Sequence, residues 1–206
     1  MEKGKLVVLV ASCMLILFTV SPVWSGTEST PPEEKPHKWL REVGLLTGYG
    51  TQSFDRRSDD YEIIPILPQF GFDINPLARK LHINPRGTIE GVVEPLMNVV
   101  INPDTNAEVG CSFLLKYSDH ITSRIAPYIE GGFGIIYTTQ HTREQSTQYN
   151  FLSQVGVGLQ FFLNEKFALT GGYRFRHMSN AGIDSPNRGI NHHFALFGVS
   201  YFFNRL

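Results

Sequence analysis

The sequence predicts an all-β protein, an eight-stranded antiparallel transmembrane β-barrel, and three observations carry that expectation. Past Lys38 the chain falls into alternating segments of about 10–15 residues separated by turn residues, with almost no helical periodicity. One face of these segments is bulky and aromatic, the other small or charged. An apolar N-terminal run addresses the chain to the cell envelope. Bulk composition removes the main competitors. With 18 basic and 19 acidic residues the net charge is −1, which excludes a dedicated nucleic-acid binder. The 15 Phe and 8 Tyr are too many for an acidic disordered chain. A mean hydropathy of −0.11 excludes a bundle of membrane-spanning helices.

The N-terminus reads as a secretory signal peptide over residues 1–25. Lys3 and Lys5 precede an apolar run from Leu6 to Val20, about 15 residues against the roughly 20 that span a bilayer as a helix. Val23 and Ser25 are the small residues before a cut at Gly26. Cys13 sits in a lipoprotein-like box, but the apolar run continues past it, which argues against lipidation. Residues 26–37, GTESTPPEEKPH, read as a flexible leader, and 38–206 as the barrel. The mature chain then holds only Cys111, so no intramolecular disulfide supports it.

The expected strands are 39–51, 61–72, 88–101, 107–118, 125–139, 150–163, 167–180 and 190–203. Turn chemistry separates them: Asn102-Pro103-Asp104, Asn164-Glu165 and Ser185-Pro186-Asn187. Pro65, Pro68 and Pro95 fall within or beside the second and third strands, where each must interrupt a ladder bond.

Parity assigns the faces. In the seventh strand Phe167, Leu169, Tyr173 and Phe175 alternate with Ala168, Thr170, Arg174 and Arg176. In the first, Trp39, Val43, Leu45 and Tyr49 alternate with Glu42, Gly44, Gly48 and Gly50. In the last, Phe197, Val199, Tyr201 and Phe203 share one face. A soluble lipocalin-like barrel would put the bulk inside, and parity alone does not separate the two. Segment length, the signal peptide and the aromatic last strand favour the outer membrane. Eight strands leave an interior filled by side chains, so Glu90, Glu94, Glu130, Arg174 and Arg176 are expected to pair there.

Chemistry concentrates between Tyr173 and Asn191. His177 and Ser179 are two apart, so both point to the aromatic outer face. Polar groups facing lipid are costly without partners or a task. Asn191 belongs by parity to the outer face of the following strand, which pairs with this one. A serine needs a base to become a nucleophile, and the base needs a third group to fix its tautomer. His177, Ser179 and Asn191 can fill these roles, although H-x-S is a weak pattern that also suits residues anchoring a loop. His192 and His193 are adjacent and face opposite sides, which argues against a metal site using both. His193, Arg176 and Arg188 are candidates to meet lipid phosphate.

The string His177-Met178-Ser179-Asn180-Ala181-Gly182, followed by Pro186-Asn187 and Gly189-Ile190, resembles the outer-membrane lipid A 3-O-deacylase family of the PagL type. Weaker similarity covers Pro127-Tyr128-Ile129-Glu130-Gly131-Gly132 and Gln154-Val155-Gly156-Val157-Gly158. The resemblance implies an enzyme that hydrolyses the 3-O-linked 3-hydroxyacyl chain of lipid A, the membrane anchor of lipopolysaccharide. It makes Ser179 the nucleophile and His177 the general base, and needs no metal or organic cofactor. Backbone N–H groups at Asn180 and Gly182 are the candidate oxyanion donors. One residue departs from the pattern. The family's acid falls 14 residues after the histidine, where this chain has Asn191 rather than Glu; Asp184, in the loop, is the alternative carboxylate.

Two other functions compete. A non-enzymatic eight-stranded outer-membrane barrel would stabilise the envelope or bind a partner through its loops. A soluble ligand carrier would partition away from membranes. Pairing of two barrels can occlude a lipid-facing site, so a homodimer is the protein partner this reading admits.

Overall fold

A computed structural model describes residues 39–52 and 61–203. The expected signal peptide and leader lie outside these residues. Within them the chain forms β1 (Leu40–Gln52), β2 (Glu62–Ile64), β3 (Ile66–Asp73), a short helix α1 (Asn75–Lys80), β4 (Thr88–Asn102), β5 (Asn106–Ser118), β6 (Ile125–Thr138), β7 (Tyr149–Phe162), β8 (Phe167–Ser179) and β9 (Ile190–Phe202).

Every neighbouring pair is antiparallel, and β9 returns to pair with β1 over Glu42–Gln52, which closes the sheet. The strand pieces β2 and β3 occupy one position, since each pairs with both β1 and β4. They are one stave broken at Pro65, so the barrel has eight. Proline offers no N–H to the ladder, and here it ends the pairing locally; its carbonyl instead accepts the Thr47 hydroxyl at 2.8 Å. Pro68 and Pro95 keep a partner on one side, Leu45 and Cys111, but both fall where the ladder between this stave and β4 lapses, between the Ile64–Val99 and Phe70–Val93 pairs. Closure of β9 on β1 removes the free edge of the sheet, the condition for a sheet in lipid.

Side chains alternate as parity predicted. Phe113, Phe133, Val155, Leu169 and Phe197 stand outside, Phe133 with 74% of its surface exposed. An apolar wall of this kind is costly in water and favourable in a bilayer. The interior is closed by polar layers. Arg174 donates to Glu94 (2.6 and 3.0 Å) and to Glu130 (2.9 and 2.7 Å). Arg176 grips Glu108 with two guanidinium nitrogens, at 2.9 and 3.2 Å. Glu90 meets Arg41 at 3.3 Å and Lys116 at 3.2 Å, and Lys116 also bonds Glu42. Each charge is paired, which is the condition for burying it. The five charged residues expected inside are all there. Small residues make room for large ones: a Cβ at Gly158 would lie 2.4 Å from the Tyr128 ring, which fills the lumen.

The helix α1 was not anticipated. Six residues are too few to register as a 3.6-residue period, and only Pro76 near its start marks it. Both described chain ends and the connections 74–87, 119–124 and 163–166 lie at one end of the barrel. Connections 139–148 and 180–189 lie at the other, above the ends of β8 and β9.

Candidate active site on the outer wall

The ends of β8 and β9 bring the predicted polar residues together on the outer face. His177 is paired in register with Asn191. Its Nδ1 lies 2.7 Å from Asn191 Oδ1. An amide oxygen can only accept, so the imidazole donates from Nδ1 and keeps its lone pair on Nε2. Ser179 follows one outward position up the same strand, opposite Phe151 of β7. Its hydroxyl has no hydrogen-bond partner among the described residues. The Oγ–Nε2 bond is therefore the one contact of the set that is not formed; in hydrolases it often tightens only with substrate in place. Ser153 of β7 stands opposite His177 on its other side, so the histidine sits between two polar neighbours.

The loop 180–189 joins the two strands beside this group and is knotted by Asn180, which is fully buried. The Asn180 side chain donates to Ser146 Oγ (3.2 Å) and to the Asp184 carbonyl (2.9 Å), and accepts the Gly182 N–H (2.9 Å). Its own N–H reaches Asn187 Oδ1 at 3.0 Å and Gln145 Oε1 at 3.2 Å. The loop is also stitched to its neighbour: Ser146 donates to the Pro186 carbonyl at 3.0 Å and Arg188 to the Glu144 carbonyl at 2.9 Å. The expected oxyanion donors take part in these bonds. The Asn180 and Gly182 N–H groups already hold the loop in shape, so neither is available without giving up a bond.

Gly189 is a site residue that nothing in the spacing of the sequence marks. Its φ of +72° is one that residues with side chains rarely adopt, and a Cβ there would lie 2.5 Å from His177 Cε1. The bare backbone packs over the imidazole and limits where the ring can go. Its position in the loop gave it no role from sequence; only the approach to His177 does.

Other candidates separate cleanly. His192 points inward, 3.2 Å from Arg176 and edge-on to Tyr61. His193 points outward, bonded through Nδ1 to the Tyr173 hydroxyl and packed edge-on against Phe175 at 5.4 Å. Arg176 is buried against Glu108, so it cannot meet lipid phosphate; parity had already placed it inside. Arg188 is exposed in the loop. The Asp184 carboxylate accepts the Ser185 N–H at 2.8 Å, while Asn191 occupies His177 Nδ1. No group of three or more His, Cys, Asp or Glu residues among the described residues could hold a metal ion.

The polar pair faces outward from an otherwise apolar wall, and similarity to known proteins bears on what such a barrel is. The model of one family, lipid A 3-O-deacylase (PagL), matches residues 69–200. The chain belongs to that family. The match includes every residue of the outward cluster just described. The crystal structure of the outer membrane enzyme PagL superposes with a TM-score of 0.54 at 18% identity, covering 76% of this chain and 97% of that one. Neisserial surface protein A (NspA) superposes with a TM-score of 0.56 at 12% identity, covering 79% and 96%. At such identities these two likenesses describe the barrel only. Among curated proteins, none matches the sequence significantly. The family and the barrel place this chain in the Gram-negative outer membrane, with a lipid substrate class.

Proposed function

We propose that this chain hydrolyses the ester linking the 3-hydroxyacyl chain at position 3 of lipid A. Ser179 Oγ attacks the acyl carbonyl carbon while its proton passes to His177 Nε2. The tetrahedral intermediate collapses, and the sugar oxygen leaves with that proton. Water, deprotonated by the same nitrogen, then attacks the acyl-Ser179 ester and releases a 3-hydroxy fatty acid, returning the proton to Ser179. Asn191 holds His177 in the tautomer that leaves Nε2 free. The observation that carries this reading is the His177–Asn191 bond of 2.7 Å, made outside the barrel and one residue pair from Ser179. The site also lies at the barrel end opposite the chain ends, which in outer-membrane barrels is the end with the longer, extracellular loops. The ester of lipid A sits at the boundary between headgroup and acyl chains, where an outward site can reach it without extracting the lipid.

One observation favours the alternative, a non-enzymatic barrel: an amide stands where the family has an acid. Expression in a Gram-negative host decides between them. Lipid A mass spectra should lose one 3-hydroxyacyl chain with the parent protein and none with Ser179→Ala at matched outer-membrane levels. Unchanged lipid A from both, with a folded barrel, would overturn the hydrolase.

A further inference from the structure

The connection 74–87, between β3 and β4, is the longest described one at the barrel end that carries both chain ends. It contains no acidic residue, while Arg79, Lys80 and Arg86 are all exposed. Beside these cations stand three large apolar side chains, Leu77, Leu81 and Ile83, with 54%, 64% and 53% of their surfaces uncovered. Leu77 lies in α1 and Leu81 caps its C-terminal end four residues on, with its N–H bonded to the Leu77 carbonyl at 3.2 Å, one helical turn back.

Two contacts fix which side of the wall this segment occupies. At its start, a Cβ on Gly91, an outward position of β4, would lie 3.6 Å from Ile74 Cγ2. At its end, the Gly87 N–H donates to the Tyr117 hydroxyl at 3.2 Å, and Tyr117 is an outward residue of β5. The segment leaves and rejoins the barrel on the lipid-facing side of the rim, not beneath the lumen. Apolar and cationic side chains interleaved at that level match a leaflet with anionic headgroups.

We propose that residues 74–87 form an interfacial anchor for anionic phospholipid. Leu77, Leu81 and Ile83 enter the acyl boundary, and Arg79, Lys80 and Arg86 reach headgroup phosphates along their aliphatic stems. The anchor works at the end of the barrel opposite the site and does not depend on hydrolysis there.

The test uses the full chain folded into vesicles, with an environment-sensitive fluorophore at Leu81→Cys on a Cys13→Ser, Cys111→Ser background. Phosphatidylcholine vesicles are compared with vesicles containing roughly one-third phosphatidylglycerol. The anchor predicts a blue-shifted emission, quenched by lipids carrying a quencher near the headgroup, and both effects stronger with phosphatidylglycerol. Changing Arg79, Lys80 and Arg86 to Gln should lower the phosphatidylglycerol-dependent partition by about fivefold per cation. Added salt should weaken the effect in the chain that keeps its cations, a control needing no further substitution. Emission as in water in both vesicle types, or emission that neither phosphatidylglycerol nor salt alters, would overturn the proposal, with folding checked by heat-dependent gel mobility.

Discussion

The two faces of β8 carry polar groups one residue apart and treat them in opposite ways. Inward, Arg174 and Arg176 place six guanidinium bonds on Glu94, Glu130 and Glu108, so those carboxylates are held in fixed positions. Outward, His177 makes a single side-chain bond, to Asn191, and Ser179 makes none. The inner set contains far more charge, yet most of its bonding capacity is spent on the fold. The outer set is nearly neutral, and its capacity is unspent in a medium with little water to satisfy it. Unspent hydrogen bonding, rather than charge, is what distinguishes the outer face of this strand.

The contrast breaks most sharply at Ser179. Ser179→Ala should lower lipid A deacylation by about 10⁴-fold or more, with no change in unfolding midpoint. A variant that keeps activity would remove Ser179 from the chemistry. The complementary change on the inner face should do the reverse. Arg174→Met strands Glu94 and Glu130 in the lumen and should cost roughly 3–5 kcal/mol of stability, read from urea unfolding in vesicles. Activity per folded molecule should survive. A barrel as stable as the parent would show that the pairing contributes little beyond replacing water.

The inner face and the barrel were legible in sequence because a two-residue period reports side-chain direction directly. The strand ends fell within a few residues of their places, since Asn164 and the Asn102-Pro103 turn mark them chemically. His177, Ser179 and Asn191 were legible for the same reason: the spacing of two within β8 and the parity of β9 fix a shared face. Loop chemistry was not. Asn180 resembled a donor toward substrate, but a side chain with two donors and an acceptor can equally fold a loop about itself, and here it does. The breadth of α1 is less than two helical turns, below what periodicity resolves.

Gly189 tests how far His177 depends on the loop above it. Gly189→Ala introduces a methyl 2.5 Å from the ring and a side chain at φ +72°, so either the loop or the imidazole must move. A displacement near 1 Å at a catalytic base costs about 10²-fold. If His177 is the base of the proposed reaction, the loss should fall on kcat more than on KM, because the added methyl meets the imidazole. The strain at this φ should lower stability by about 1 kcal/mol, a slight drop in urea midpoint, so the barrel stays folded under assay conditions. Full activity in the folded variant would show that the loop yields and that the ring is held by Asn191 alone.

The smallest effect concerns the amide itself. Exchanging acid for amide in a Ser-His-Asp protease costs about 10⁴-fold, but part of that loss comes from trapping the wrong tautomer. Here Asn191 presents its oxygen to Nδ1, so the tautomer is already right. What it lacks is a negative charge to offset the imidazolium that the proposed attack by Ser179 would form. Asn191→Glu supplies that charge at the same strand position, and the gain for a partly solvated pair should be about tenfold in kcat. Asn191→Leu, which removes the acceptor, should lower activity instead. Both are read from lipid A turnover at equal amounts of folded barrel. If Glu leaves the rate unchanged while Leu abolishes it, orientation of the ring outweighs charge at this site. If Leu is tolerated as well, Asn191 has no part in the reaction and the outer face of β8 must find its third group elsewhere.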